Sequence, residues 1–240
     1  MTLDPSPVMR PPSPSLDAAI ADLEQASSSE GLIVATRRLA ALQHPGAAES
    51  LMQVLAFNNP GAALAAVDGL VAIGPDAVPT ILNNLDARNY GARAWAVRAL
   101  AGLADERGLE VLVDALLHDV GPSVRRAAAR GLGDLVLNPE PDRAADQLNL
   151  CIQSLEEGSE DGEWVVRYAV VVGLERRHGP VPEQAASSLT RIPAVLQRLA
   201  EPEAEEIAVV RQRSRLALQR LATTSSPFVP SIASPTPSQP

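Results

Sequence analysis

Residues 89–135 read NYGARAWAVRALAGLADERGLEVLVDALLHDVGPSVRRAAARGLGDL and hold two near-copies of one helical unit. With Leu100 aligned on Leu132, Ala92 falls on Val124, Arg93 on Arg125, Ala96 on Ala128 and Val97 on Ala129. The same frame extends outward to Leu70, with Ala62, Ala66 and Val67, and to Leu174, with Val166, Val170 and Val171; Leu39 is a weaker fifth anchor. The anchors are 31, 30, 32 and 42 residues apart. A period near 31 residues with helical spacing inside each unit and no strand pattern predicts an all-α solenoid, a HEAT-like superhelix of stacked helix pairs. Such a fold carries its function on the exposed face of its repeats.

Composition narrows the chemistry. Hydrophobic residues make up 46% of the 240-residue chain and aromatics only 2%. The core is therefore expected to be Ala, Leu and Val, which suits closely approaching helices and not a sheet. The net charge of −9, with no basic stripe, argues against nucleic acid, whose binding needs clustered cations. All 20 basic residues are Arg, which removes Schiff-base catalysis and a phosphate-loop lysine. A single cysteine, Cys151, permits no internal disulfide and points to a reducing, cytoplasmic location. It lies in LNLCIQSL, an apolar helical stripe, so a buried, unreactive thiol is expected. The start, MTLDPSPVMRPPSPS, has no signal-peptide core, and no apolar run is read as approaching the roughly 20 residues of a membrane span. His44, His118 and His178 lack metal-ligand spacing; each is expected near a helix end, against the last carbonyls. No metal site and no cofactor are expected.

The Pro- and Ser-rich segments 1–15 and 223–240 read as disordered, with the solenoid domain over 16–222. About twelve helices are expected between them. The breaks at Asn59–Pro60–Gly61, Gly74–Pro75–Asp76, Gly121–Pro122 and Gly179–Pro180 each combine a helix stop with a proline tolerated in the next first turn. Late helices are placed at Arg143–Leu155, Glu163–Arg177, Ser187–Leu199 and Glu203–Leu221. The extra length between Leu132 and Leu174 is read as longer loops around NPEPD and EEGSEDG.

Numbering each repeat backward from its anchor leucine separates two faces. The anchor and positions −3, −4 and −8 form the buried stripe; −10, −6, −5 and −2 turn away from it. All the Tyr and Trp residues of the chain, Tyr90, Trp95, Trp164 and Tyr168, fall on this second face, with Arg98, Arg126, Arg130 and Asp68. Aromatics stack on planar rings and Arg grips carboxylates in a fork, so this face suits a flat, conjugated, carboxylate-bearing ligand or a protein surface. The competing reading is that the tryptophans fill gaps between adjacent helices. Arg93, Arg125 and Arg167, at −7, form a separate ladder expected to bridge neighbouring helices to loop acids or carbonyls.

The repeats resemble the HEAT-like repeats of E/F-type phycobilin lyases. The resemblance is carried by AALQHPGAAESLMQVLAFNNPGAALAAVDGLVAIG (Ala40–Gly74), NYGARAWAVRALAGLADERGLEVLVDAL (Asn89–Leu116) and SVRRAAARGLGDL (Ser123–Leu135), and covers about Leu16–Arg177. Size and order are most like the smaller, F-type subunit of the heterodimeric phycocyanin α-subunit lyase. The resemblance implies that the chain acts with an E-type subunit on phycocyanobilin or a related bilin, joining it by a thioether to a cysteine of an apo-phycobiliprotein. It implies that Arg98, Arg126 and Arg130 hold propionates and that Tyr90, Trp95, Trp164 and Tyr168 set ring orientation. Asp68 would then hydrogen-bond pyrrole N–H groups, the catalytic role in this scheme. Some relatives isomerise the bilin through an Asn-His-Cys-Gln motif; here Asn149–Leu150–Cys151–Ile152 stands instead. The alternative is a non-enzymatic HEAT scaffold or chaperone that binds protein alone.

Overall fold

The computed structural model describes residues 15–85, 89–179 and 186–224; the segments expected to be disordered lie almost wholly outside the described residues. Within these, helices α1 (Leu16–Glu24), α2 (Ser29–Ala40), α3 (Ala48–Val54), α4 (Pro60–Ile73), α5 (Val78–Asn83), α6 (Tyr90–Leu103) and α7 (Leu109–His118) are followed by α8 (Pro122–Asp134), α9 (Pro141–Gly158), α10 (Trp164–Arg177), α11 (Ala186–Leu189), α12 (Arg191–Arg198) and α13 (Ala208–Thr224). No strand occurs among the described residues. Helices α2, α4, α6, α8, α10 and α13 stack directly on one another as a front row, and α3, α5, α7, α9 and α12 form the row behind. This is the all-α helical-repeat solenoid that the period predicts.

The sequence fixes these boundaries locally. Side chains of Ser15, Ser28, Asn59 and Asn89 accept hydrogen bonds from the amides of Ala18, Gly31, Ala62 and Ala92, capping α1, α2, α4 and α6. Prolines occupy the first turns of α4, α8 and α9, where a missing N–H costs nothing. Gly74, at φ +82°, ends α4. The anchors Leu39, Leu70, Leu100, Leu132 and Leu174 are all buried, as the helical spacing requires.

Small residues set how closely the front row packs. A Cβ at Gly133 would stand 2.5 Å from Gly173 Cα, and one at Gly173 would stand 2.6 Å from Ala129 O. Helices α8 and α10 therefore meet backbone to backbone, and alanine at either position would force them apart.

The −7 arginines form the expected ladder on one edge. Arg125 makes a paired contact with Asp161, at 2.6 and 3.0 Å, and donates to Asp119 O at 2.8 Å. Arg167 grips Glu205 at 2.6 and 2.8 Å and donates to Asp161 O at 2.8 Å. Arg93 reaches Asp119 at 2.9 Å, and Arg211 continues the pattern by donating to Glu205 O at 2.7 Å. Each acid also takes the amide two residues on, Gly121, Glu163 and Ile207. One carboxylate thus shapes its own turn and locks the preceding repeat. The Arg167 hydrogen bond holds Glu205 below its usual pKa against the opposing effect of burial. For Asp161, burial pushes upward, and the hydrogen bonds from Arg125 and the Glu163 amide outweigh it.

Four expectations are corrected. The extra length between Leu132 and Leu174 is mainly helix: α9 runs 18 residues and takes in Glu156–Gly158, leaving short connections on either side. The connection before α9 is fixed by Glu106, which accepts from Asn138 at 2.7 and 2.8 Å and from Gln147 at 2.6 Å. The last helix begins at Ala208, not Glu203, because Glu205 is committed to the ladder and to the turn. His44 Nδ1 accepts from Gly46 N at 3.0 Å, so it caps the start of the next turn and does not meet preceding carbonyls. Finally, Pro60–Asn83 does reach the length and apolarity of a membrane span, but it is two helices joined by a 3-10 turn at Gly74–Ala77, with half of the apolar window buried in the core.

Breaking one rung leaves a carboxylate that is largely buried without its cation. Arg125→Ala is therefore expected to lower stability by about 2–3 kcal/mol, somewhat below the cost for a fully buried pair because Arg125 is partly exposed. Thermal melts compare it with Arg126→Ala, which is expected to melt as the unaltered chain does. The folded-state pKa values of Glu205 and Asp161 are depressed, so their stabilisation is complete above the unfolded carboxylate pKa near 4 and is lost as pH falls through the lower folded values. Denaturant midpoints should accordingly hold from neutral pH to about 5 and fall below about 4.

Candidate functional site

Between α6 and α8 the front row opens. Ala94, Ala101 and Gly102 from α6 and Ser123, Ala127 and Gly131 from α8 leave a groove of about 360 Å³. Gly131 and Ala101 close its floor, since a Cβ on Gly131 would meet Ala101 Cβ at 2.7 Å. One wall is Trp95 with Arg98 over its ring, the guanidinium carbon 5.7 Å from the ring centroid, a cation–π contact. The other wall is Arg126 and Arg130, one helical turn apart and both solvent-exposed.

Most arginines among the described residues are paired; Arg37 and Arg143 stand singly without an ion-pair or hydrogen-bond partner, whereas three such arginines meet in this groove. Arg93, Arg107, Arg125, Arg167, Arg176, Arg191, Arg198 and Arg213 all pair with acids. Among the described residues, Arg98, Arg126 and Arg130 have no ion-pair or hydrogen-bond partner, and the groove lining contains no acid. Three guanidiniums lining one groove of a chain with net charge −9 concentrate positive potential where small side chains give access to it. With the half-buried indole beside them, they suit a planar anion carrying carboxylates.

Of the eight residues singled out in the sequence, the structure brings four together here: Trp95, Arg98, Arg126 and Arg130. Asp68 lies in another groove of the same face, between α2 and α4, beside Arg37, Gln43 and Leu64. Two helix spacings separate the grooves, on the order of 20 Å. Tyr90 and Trp164 are the first residues of α6 and α10, 64% and 42% exposed, at the edge of the row and outside both grooves. Tyr168 is half-buried against the core. Between α8 and α10 the contact of Gly133 with Gly173 brings the backbones together, which works against a groove beside Tyr168. The sequence reading missed Ser123 and the small lining residues Ala94, Gly102, Ala127 and Gly131. Their signal was present, as Gly and Ala recurring on the outward face, but small residues announce a groove only once the helix crossing is known.

Cys151 is fully buried, and burial pushes its thiol up to about 11 against a weaker opposing pull from Arg177. Arg177 is itself committed to the end of α8, donating to Gly133 O at 2.7 Å and Leu135 O at 2.6 Å.

Fold and site together define a HEAT-type repeat protein with an arginine- and tryptophan-lined groove, and the sequence pattern described as HEAT repeats matches residues 78–175. The bilin biosynthesis protein RpcF of Synechococcus sp. is 44% identical over 212 residues, spanning 87% of this chain and 97% of that protein. The phycocyanin alpha phycocyanobilin lyase CpcF of Synechocystis sp. is 43% identical over 209 residues, spanning 87% and 95%. Among solved structures, the complex of CpcE and CpcF of phycocyanin lyase from Nostoc sp. contains a chain 38% identical to this one, with a TM-score of 0.66, covering 72% of this chain and 99% of that one. The chain belongs to the phycobilin lyase family of E/F type, on its F-type side.

A thiol with so high a pKa behind a packed core should not react in the native state. At pH 8 the folded chain is expected to resist a water-soluble thiol reagent over hours and to label fully in denaturant; rapid labelling of the folded chain would place Cys151 at an accessible surface.

Proposed function

We propose that this chain is the F-type subunit of a phycobilin lyase, acting with an E-type partner to attach phycocyanobilin or a related bilin to a cysteine of an apo-phycobiliprotein, the phycocyanin α subunit being the expected acceptor. The observation that carries this reading is the set of partner-free arginines, Arg98, Arg126 and Arg130, beside Trp95 in one groove. The names of the relatives support it, as does the complex in which the related Nostoc chain was solved.

In this reading the acceptor sulfur adds to the exocyclic double bond of the terminal bilin ring. A carbon–sulfur bond forms, the double bond's electron pair moves into the conjugated ring system, and the thiol proton is passed to it; no external oxidant or reductant is needed. The chain's contribution is positioning. Arg98, Arg126 and Arg130 hold the propionate carboxylates, and Trp95 provides a flat wall for a pyrrole ring. Fixing the bilin in one orientation converts attack by a tethered thiol into a near-intramolecular step. Asp68 lines the neighbouring groove, on α4, one helix spacing from Arg98 on α6. Cys151, buried and protonated, carries no covalent intermediate. The cytoplasm is the expected location.

Co-expression with an E-type chain, the apo-phycobiliprotein α subunit and a bilin pathway tests this reading, with zinc-induced fluorescence of the denatured product reporting covalent attachment. Attachment should require both lyase chains. Each charge-assisted contact contributes about 1.5–3 kcal/mol, so Arg126→Ala with Arg130→Ala should cut attachment on the order of 100-fold at unchanged melting temperature. Cys151→Ser should leave transfer within about twofold. Full attachment without this chain would overturn the proposal, whereas partner binding with no bilin dependence would favour a scaffold or chaperone.

A further inference from the structure

Front-row helices alternate along the chain with back-row helices, so they run parallel and present their N-terminal ends along one edge of the solenoid. Large apolar side chains recur on that edge. Phe57, Tyr90, Val120, Trp164 and Val209 lie in the turns leading into α4, α6, α8, α10 and α13 or in their first residues, and are 49%, 64%, 75%, 42% and 43% exposed. Single exposed apolar residues are ordinary. They recur on the same edge in five of the six front-row helices, at differing positions in the repeat, and such clusters mark interfaces. Adjacent helices stand about 8–10 Å apart, so five points span on the order of 40 Å.

Two further features bear on what covers this rim. It is stiff, because Asp119, Asp161 and Glu205 of the arginine ladder fix its turns from beneath. It is also acidic toward its C-terminal end, where Glu163, Glu203 and Glu206 are exposed. The rim's own arginines, Arg93, Arg125, Arg167 and Arg211, are drawn into the ladder and offer no counter-charge. A second copy docking rim to rim would therefore bring the same acids, with the rim arginines of both copies already held in their ladders. A chain related to this one was solved in the complex of CpcE and CpcF, so a partner lyase subunit is the occupant that fits an apolar edge with an acidic end.

We propose that this rim docks the partner lyase subunit, a second helical-repeat chain that sets apolar residues against Tyr90, Val120 and Trp164 and basic residues against Glu163, Glu203 and Glu206. The proposal rests on the reading that the chain works with an E-type partner. It separates two tasks: the groove between α6 and α8 holds the bilin, and the edge holds the partner. Tyr90 and Trp164 then act in assembly and not in ring orientation.

The test measures the affinity of the purified chain for an E-type subunit by titration. Tyr90→Ser, Val120→Ser and Trp164→Ser combined should weaken binding on the order of 100-fold, as loss of aromatic interface anchors does. The melting temperature should be nearly unchanged, since all three side chains are exposed. Should the triple variant fold poorly, Tyr90→Ser alone is expected to weaken binding about tenfold. Arg126→Ala with Arg130→Ala should bind the partner within about twofold of the unaltered chain. Raising salt should weaken the complex, less so after Glu163→Gln, Glu203→Gln and Glu206→Gln. Unaltered partner affinity in the folded rim variants would overturn the rim assignment while leaving the heterodimer intact. Loss of self-association in place of partner binding would identify a second copy as the occupant and overturn it equally. If the unaltered chain bound no E-type subunit, the functional reading itself would fail.

Discussion

The spacing of the front-row helices governs what this protein can hold. With almost no aromatic residues to fill its core, the chain relies on alanine, glycine and leucine, and the helices come as close as those side chains allow. Where glycine meets glycine, at Gly133 and Gly173, α8 and α10 touch through their backbones. Where Ala94 and Ala127 stand near the mouth and Gly131 rests on Ala101 below, α6 and α8 leave a groove with a closed floor. Packing density is near its limit at the contact, so the groove is a fixed shape and not a chance gap. Its walls then need only a few well-placed polar groups to become a binding site.

Charge divides along the same architecture. Most arginines described here neutralise acids, and the ladder uses Arg125 and Arg167 to tie successive repeats at positions where both partners are largely withdrawn from water. Arg98, Arg126 and Arg130 lie one helical face away and have no such partner. The two sets differ by a few positions in the helical frame, yet one stabilises the stack and the other is available for a ligand. An acidic exterior around a basic groove also directs small anions toward the groove and away from the remaining surface.

Most of the fold was legible from the sequence, because a repeating stripe of leucine and small residues dictates helix stacking whatever lies outside it. The ladder was legible for the same reason: Arg93, Arg125 and Arg167 share one position in the repeat. Half of the candidate site was legible. Trp95, Arg98, Arg126 and Arg130 share one helical face in the sequence and line one groove in the structure, but face alone does not say which neighbouring helices part and which touch. Tyr168 lies where α8 and α10 touch, and Asp68 lines the next groove along the row. Tyr90 and Trp164 share that face in the helical frame but, as first residues of their helices, project at the edge of the row, a distinction that periodicity does not make. The enlarged repeat misled for another reason: its polar run EEGSEDG looks like loop, although Glu156–Gly158 complete α9.

The central claim is that guanidiniums in the groove between α6 and α8 recognise bilin carboxylates. Visible absorbance titration of the assembled heterodimer with phycocyanobilin and with its dimethyl ester isolates that recognition from every other contact. Two charge-assisted contacts predict that the free acid binds at least about tenfold more tightly than the ester, and that Arg126→Ala with Arg130→Ala abolishes the difference. Equal affinity for acid and ester in the unaltered heterodimer would contradict the claim.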